Sequence, residues 1–84
     1  MEKTCCLPAA VGTTLLRERK KRGLTQQGVA ELAGLQRVFI VGIEAGRHSV
    51  SLETIFTLAH ALNLSPHEFV CRIEATLENM MQRE

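Results

Sequence analysis

The sequence has no tryptophan, no tyrosine and no aspartate, and its 84 residues include only three phenylalanines and two prolines. So few aromatic residues disfavour a β-sheet stabilised by aromatic pairs, whereas a hydrophobic content of 45% suits an aliphatic, helical core. A chain of this length forms one domain at most, and burial against a second subunit would add useful stability. We therefore predict a single all-α domain.

The cysteines and histidines are too few and too irregularly spaced to bind a metal. Cys5, Cys6 and Cys71 are odd in number and suit neither a disulfide framework nor a zinc site. No pair of histidines has a metal-binding spacing, and the lack of aspartate disfavours a hard cation. We predict no metal, no cofactor and a reducing compartment, by default the cytoplasm. The apolar stretch from Cys5 to Val11 is too short, and too soon interrupted by Pro8, for a signal peptide or a membrane span.

Motifs for catalysis are also missing, since the chain has no glycine-rich phosphate loop, no nucleophile motif and no plausible pair of catalytic carboxylates. We predict a protein that is not an enzyme. The net charge is only +1, so overall charge does not indicate a nucleic-acid partner. Five basic residues nevertheless lie between positions 17 and 22, where Glu18 alone offsets them. This basic cluster either contacts phosphate or forms a solvated helix face.

Five helices are predicted from apolar periodicity and from capping residues. Residues 1–10 lack a periodic pattern and are predicted to form a flexible N-terminal arm. The first helix runs from Val11 to a stop at Gly23, and a capping box at residues 65–68 begins the fifth. Thr25 is predicted to cap the second helix. Ser51 opens the fourth helix, whose predicted buried face consists of Leu52, Ile55, Ala59 and Leu62.

The segment from residue 26 to residue 45 carries the most information about function. Ala30 lies where two short helices would cross most closely, and Gly34 lies where the first of them must end. Ile40 and Ile43 share one face of the next helix, which can then lie across its predecessor. This arrangement predicts a helix-turn-helix whose second helix reads DNA.

A set of residues spread over most of the chain carries a family resemblance: Arg19, Gly23-Leu24-Thr25-Gln26, Val29-Ala30, Ala33-Gly34-Leu35, Ile40, Ile43-Glu44, Gly46 and Ser51-Leu52. On these residues, positions 11–70 resemble the Cro and phage-repressor type of helix-turn-helix, called the Xre family. Within it, the chain most resembles restriction–modification controller proteins and similar small stand-alone regulators. The resemblance implies a five-helix, lambda-repressor-like domain over residues 11–70, with residues 71–84 extending helix five for dimerisation.

The resemblance implies that the third helix enters the major groove of double-stranded DNA. Arg37 is the leading candidate to read a guanine, with a phosphate contact or a solvated charge as alternatives. Gln26 would bind a phosphate at the start of helix two, or would be an exposed polar residue. Gln36 either caps its own helix or contacts DNA. The full predicted DNA-binding set is Thr25, Gln26, Gln36, Arg37, Val38, Phe39, Val41, Arg47 and His48.

An apolar outward face on the third helix leaves a second function open. Val38, Phe39 and Val41 are predicted to point outward, where they contact either thymine methyl groups or a protein partner. Gly42 would allow a close approach of either the DNA backbone or a dimer mate. The alternative function is therefore a protein-interaction module, such as the antitoxin of a toxin–antitoxin pair or a degenerate helix-turn-helix.

The predicted mechanism is a homodimer that places two third helices in successive major grooves of an approximately palindromic operator. The resemblance also implies an ion pair between Arg19 and Glu44, which would join helix one to the end of the third helix. Part of the helix-five stripe must cover the monomer's own core. The dimer interface is predicted to include Phe56, Phe69, Ile73, Leu77 and Met80.

Overall fold

The computed structural model describes residues 6–82 and contains no strand in that range. The all-α prediction is confirmed. No helix among the described residues is long and apolar enough to cross a membrane. The five helices are α1 (Leu7–Lys21), α2 (Gln26–Ala33), α3 (Arg37–Glu44), α4 (Leu52–Ala61) and α5 (Pro66–Gln82).

Helix α1 begins earlier than its apolar pattern predicts. It starts at Leu7 rather than at Val11, so the prediction that residues 7–10 belong to a flexible arm is wrong. Pro8 lies in the first turn, where its fixed φ and missing N–H are tolerated. Ala10 is fully buried in the core, which ties this turn to the rest of the domain. Residues 1–5 of the predicted arm lie outside the described residues.

Local capping defines both ends of α2 and the start of α5 as the sequence predicts. The Oγ1 of Thr25 accepts a hydrogen bond from the backbone N–H of Gly28 at 2.9 Å and caps α2. Gly34 ends that helix in the left-handed conformation, at φ 67°. Ser65 and Glu68 form a reciprocal capping box, since each side chain accepts a bond from the other residue's backbone N–H, at 3.1 and 3.0 Å. These bonds satisfy N–H groups that a helix start leaves without partners.

All five helices contribute to one aliphatic core. The prediction that Leu52 lies on the buried face of α4 is wrong, because its side chain is 69% exposed. It comes one turn before Ile55, at the edge of a stripe to which Leu58 adds the missing central residue. The buried hydrophobic residues are Ala10, Val11, Leu15, Val29, Ala30, Ile40, Ile43, Ile55, Leu58, Ala59, Leu62, Leu64, Phe69 and Ile73.

The apolar stripe of α5 mainly completes the core of its own chain. Phe69 and Ile73 are buried within the monomer, so their predicted place in a dimer interface is wrong. A side chain that is already buried has no surface left to offer to a second subunit. Leu77 and Met80 are partly buried and pack against the same core. Of the predicted interface residues, Phe56 alone is exposed.

Candidate nucleic-acid interface

Helix α3 lies across α2 with one side in the core and its N-terminal end at the surface. Ile40 and Ile43 are fully buried, whereas Arg37 and Val38 are exposed, Val38 to 71%. The turn between the two helices is closed by a 2.9 Å hydrogen bond from the N–H of Leu35 to the carbonyl of Ala30. The start of α3 is therefore available to a partner, while its position is fixed by packing behind it.

An ion pair holds the C-terminal end of α3 against α1. The guanidinium of Arg19 donates to both carboxylate oxygens of Glu44, with Nε to Oε2 at 2.6 Å and Nη2 to Oε1 at 3.0 Å. Both side chains are largely buried, and the hydrogen bond to Glu44 raises the pKa of Arg19 further. A third donor of Arg19 reaches the carbonyl of Leu24 at 3.2 Å. The ion pair implied by the family resemblance is thus present.

Gln26 connects this ion pair to the exposed start of α3. Its Nε2 donates to Oε1 of Glu44 at 3.0 Å, and its Oε1 accepts from Nη2 of Arg37 at 3.3 Å. Both ends of the amide are thus engaged within the protein, a role that the sequence did not predict. A continuous chain of hydrogen bonds runs from buried Arg19 to exposed Arg37, which restrains the arginine at the start of the helix.

The outward face of α3 is less apolar than predicted. Phe39 is half-buried and packs against the core, because it lies one helical turn before buried Ile43. Val41 is also half-buried, so the prediction of an exposed three-residue apolar face is wrong and Val38 alone is exposed. Gln36 is the N-cap residue of α3 but makes no side-chain capping bond. Of the two alternatives for Gln36, capping is therefore not found, and its side chain is exposed.

Two of the predicted DNA contacts follow α3 in the loop that leads to α4. Arg47 and His48 are both exposed. The backbone N–H of Arg47 donates to the carbonyl of Gly42 at 3.0 Å, so the loop folds back along the end of α3. The ring of His48 lies beside that of Phe39, with centroids 5.4 Å apart. The loop thus places a basic side chain beside the end of α3.

Much of the basic cluster at positions 17–22 is engaged within the protein. Glu18 is 1% exposed, and its Oε1 accepts from Arg22 at 2.8 Å and from Arg72 of α5 at 2.7 Å. Lys21 lies 3.5 Å from the other carboxylate oxygen. Burial raises the pKa of Glu18, but the hydrogen bond from Arg22 and the charges of Arg72 and Lys21 outweigh it and lower the pKa overall.

Arg17 and Arg22 of the cluster also bond to parts of the chain outside α1. Arg17 donates to Oγ1 of Thr76 at 2.7 Å, and Arg22 donates through Nε to the carbonyl of Leu62 at 2.6 Å. Sequence reasoning missed the central role of Glu18, although its spacing to Arg22 is that of a helical ion pair. These contacts assign most of the cluster to joining helices, and they leave the start of α3 and the following loop as the candidate interface.

No group of three or more metal-ligating side chains occurs within residues 6–82. Cys6 is partly exposed and Cys71 exposed, whereas Cys5 lies outside the part of the chain that the structure describes.

The arrangement of α2 and α3, with an exposed arginine at the start of α3, defines a helix-turn-helix of the DNA-binding class. The chain belongs to the helix-turn-helix family, whose sequence model matches residues 15–69.

Known proteins resemble this chain in sequence or in fold. It is 33% identical over 66 residues to an uncharacterized HTH-type transcriptional regulator of Sinorhizobium fredii, an alignment that covers 79% of this chain and 86% of the relative. The restriction-modification controller protein C.AhdI of Aeromonas hydrophila is 39% identical, with a TM-score of 0.71 over 74% of this chain and 94% of C.AhdI. The controller protein C.Esp1396I, solved as a tetramer with its 35-base-pair operator, has the same fold, with 22% identity, a TM-score of 0.79 and coverage of 84% and 93%.

Proposed function

We propose that the protein is a sequence-specific transcriptional regulator of the prokaryotic cytoplasm, which binds a palindromic operator in double-stranded DNA as a homodimer. The observation that carries this proposal is the exposed start of α3, where Arg37 emerges from a helix whose opposite side is fully buried. A rigid helix with a free end can enter the major groove without rearranging the core. The similarity to the regulator of S. fredii and to C.AhdI supports this function.

Arg37 is the proposed base-reading residue. Its guanidinium can make paired hydrogen bonds to the edge of a guanine, and the long, single bond to Gln26 is weak enough to be exchanged for them. Arg47 is proposed to contact the phosphate backbone, because an exposed cation in the adjoining loop adds affinity without sequence preference. Thr25, Gln26, Gln36, Val38 and His48 remain proposed neighbours of the DNA.

The homodimer is proposed to form through α4. Phe56 is 52% exposed and lies one turn after Leu52, so the two side chains form an apolar patch, hereafter the α4 patch. Exposed apolar patches often mark protein interfaces. Leu77 and Met80 are partly buried. We propose that their exposed parts lie at the edge of the dimer interface.

The function is tested by selecting binding sites from random duplexes with purified protein at about 150 mM salt, where non-specific attraction is screened. We expect an enriched palindrome with half-site centres about 10 bp apart. No enrichment, together with only weak and salt-sensitive binding, would contradict the proposal and favour a protein-interaction module. The half-buried positions of Phe39 and Val41 already remove part of the surface on which that alternative depended.

A further inference from the structure

Gly42 lies in α3, the proposed recognition helix, and is buried, although it is on the side of the helix away from the buried isoleucines. The ring of His48 covers Gly42 from the solvent side. A Cβ atom on Gly42 would lie 2.6 Å from Cδ2 of that ring and closer still to Nε2, so only glycine leaves room for it. The ring also faces Phe39 at a tilt of 54°. Gly42 and Phe39 together form a notch that holds the imidazole, hereafter the His48 notch.

The backbone around the notch brings His48 into place. Gly46 has φ 75°, in the left-handed region, and its N–H donates to the carbonyl of Ile43 at 2.9 Å. The next N–H, that of Arg47, donates to the carbonyl of Gly42 at 3.0 Å. The chain therefore reverses at Gly46, and the seated ring is a side-chain contact that secures this reversal against α3.

We propose that Gly42 and His48 are positioning residues for DNA binding, because the seated ring fixes the loop that carries Arg47 relative to the recognition helix. The inference rests on the proposed function, in which Arg47 contacts phosphate. A loop that is fixed in advance loses less conformational freedom when DNA binds, so affinity rises without any added contact. His48 thus acts through the loop and not as a phosphate ligand.

A methyl group at position 42 should weaken DNA binding without lowering the stability of the fold. The atoms that would meet a methyl group at position 42 belong to the end of an exposed side chain, so the ring can swing into solvent without disturbing the core. Alanine is also a better helix former than glycine. We therefore expect Gly42→Ala to melt at or above the temperature of the wild type, yet to bind operator DNA roughly tenfold more weakly at every salt concentration, because the phosphate contact of Arg47 remains and only its ordering costs more.

The experiment measures melting temperature, operator affinity at several salt concentrations, and the nuclear Overhauser contact between the His48 and Phe39 rings. The proteins are wild type, Gly42→Ala, His48→Ala, the Gly42→Ala/His48→Ala double variant, and His60→Ala as a control at an exposed histidine of α4. We expect Gly42→Ala to lose the ring contact, and the double variant to bind no more weakly than His48→Ala alone, because the methyl group then has no ring to displace.

The outcomes distinguish this inference from the proposed function. If the wild type binds its selected operator and Gly42→Ala binds equally well, the positioning role is wrong and the proposed function stands. Multiplicative losses in the double variant, or a ring contact that survives in Gly42→Ala, would overturn the inference in the same way. If the wild type itself selects no site, the proposed function and the positioning role both fall.

Discussion

At the scale of single residues, a buried ion pair fixes how two helices pack against each other. Arg19 and Glu44 illustrate this, because their paired hydrogen bonds join α1 to the end of α3. Glu44 also accepts from Gln26 and so lies at the base of the chain of bonds that reaches Arg37. One carboxylate therefore supports both the fold and the geometry of the proposed DNA-reading residue.

Replacement of Glu44 by alanine should destabilise the fold by about 3 to 5 kcal/mol, because Arg19 would remain buried without its partner. Chemical denaturation measures this loss, with Glu74→Ala on an exposed position of α5 as the control. The double variant Arg19→Met/Glu44→Leu should recover most of the stability, since it leaves no unpaired charge. An unchanged midpoint for Glu44→Ala would contradict the structural role of the pair.

Glu18 should make the stability of the protein depend on pH on the acid side. Its pKa is lower in the folded chain than its ordinary value of 4.5, so the unfolded chain takes up the proton more readily. The stabilisation by Glu18 is therefore complete above that value and is lost as the pH falls through the folded pKa. Glu68, whose pKa is lowered by a backbone hydrogen bond from Ser65, adds to the same acid-side loss.

The variant Glu18→Gln should be less stable than wild type by about 1 to 3 kcal/mol near neutral pH. The difference should shrink as the pH falls from about 4.5 through the lower folded pKa, because the carboxyl is protonated first in the unfolded chain and finally in the folded chain. Denaturation curves at several pH values measure the difference, and Glu74→Gln serves as the matched control. A difference that stays constant across this range would show that the charge of Glu18 is not what stabilises the fold.

At the scale of helices, close approach depends on glycine at one crossing. Gly12 of α1 is buried against the end of α3, where an added Cβ would lie 2.8 Å from the carbonyl oxygen of Glu44 and would overlap that of Ile43. Backbone atoms cannot swing away as a side chain can. The axes of α1 and α3 would therefore have to separate, which would also strain the Arg19–Glu44 pair.

We expect Gly12→Ala to cost a net amount of about 1 to 3 kcal/mol, because overpacking outweighs the gain in helix propensity. Gly42→Ala is the matched comparison, since the same change there meets only the ring of His48 and should not lower stability. Parallel denaturation of the two variants gives the answer. Equal stability of Gly12→Ala and wild type would mean that the two helices do not cross this closely.

The success of sequence reasoning also differed from element to element. Caps such as Thr25 and the box at residues 65–68 were predicted correctly, because their bonds are local and join residues three apart. The role of Gly12 could not be predicted, since it depends on which distant helix lies above it. Gln26 was missed as a connector for the same reason, because its partners come from both ends of α3.

At the scale of the whole molecule, the described residues form one core, and the proposals rest on surface features of two different helices. The start of α3 presents Arg37, and the α4 patch presents Leu52 and Phe56. Sequence patterning could not divide the α5 stripe between core and interface, since both require apolar residues at the same spacing. Burial resolves it, because Phe69 and Ile73 lie within the monomer.

The α4 patch leads to a prediction about assembly. Phe56→Asp should shift the protein towards a monomer and weaken operator binding in parallel, because each subunit then has to bind alone. Analytical ultracentrifugation and DNA titration measure the two effects, with Leu32→Asp as a control at an exposed apolar residue of α2. Unchanged mass and unchanged affinity for Phe56→Asp would remove α4 from the interface.

The most direct test of the central claim, that α3 reads DNA sequence through Arg37, is site selection from random duplexes carried out in parallel with wild type and Arg37→Ala. The wild type should enrich a palindrome, and the variant should bind it about 1 to 3 kcal/mol more weakly and lose preference at one base pair in each half-site. Arg17→Ala, which changes an arginine bonded to Thr76, is the control. The same motif at full preference from Arg37→Ala, or no motif from the wild type, would contradict the claim.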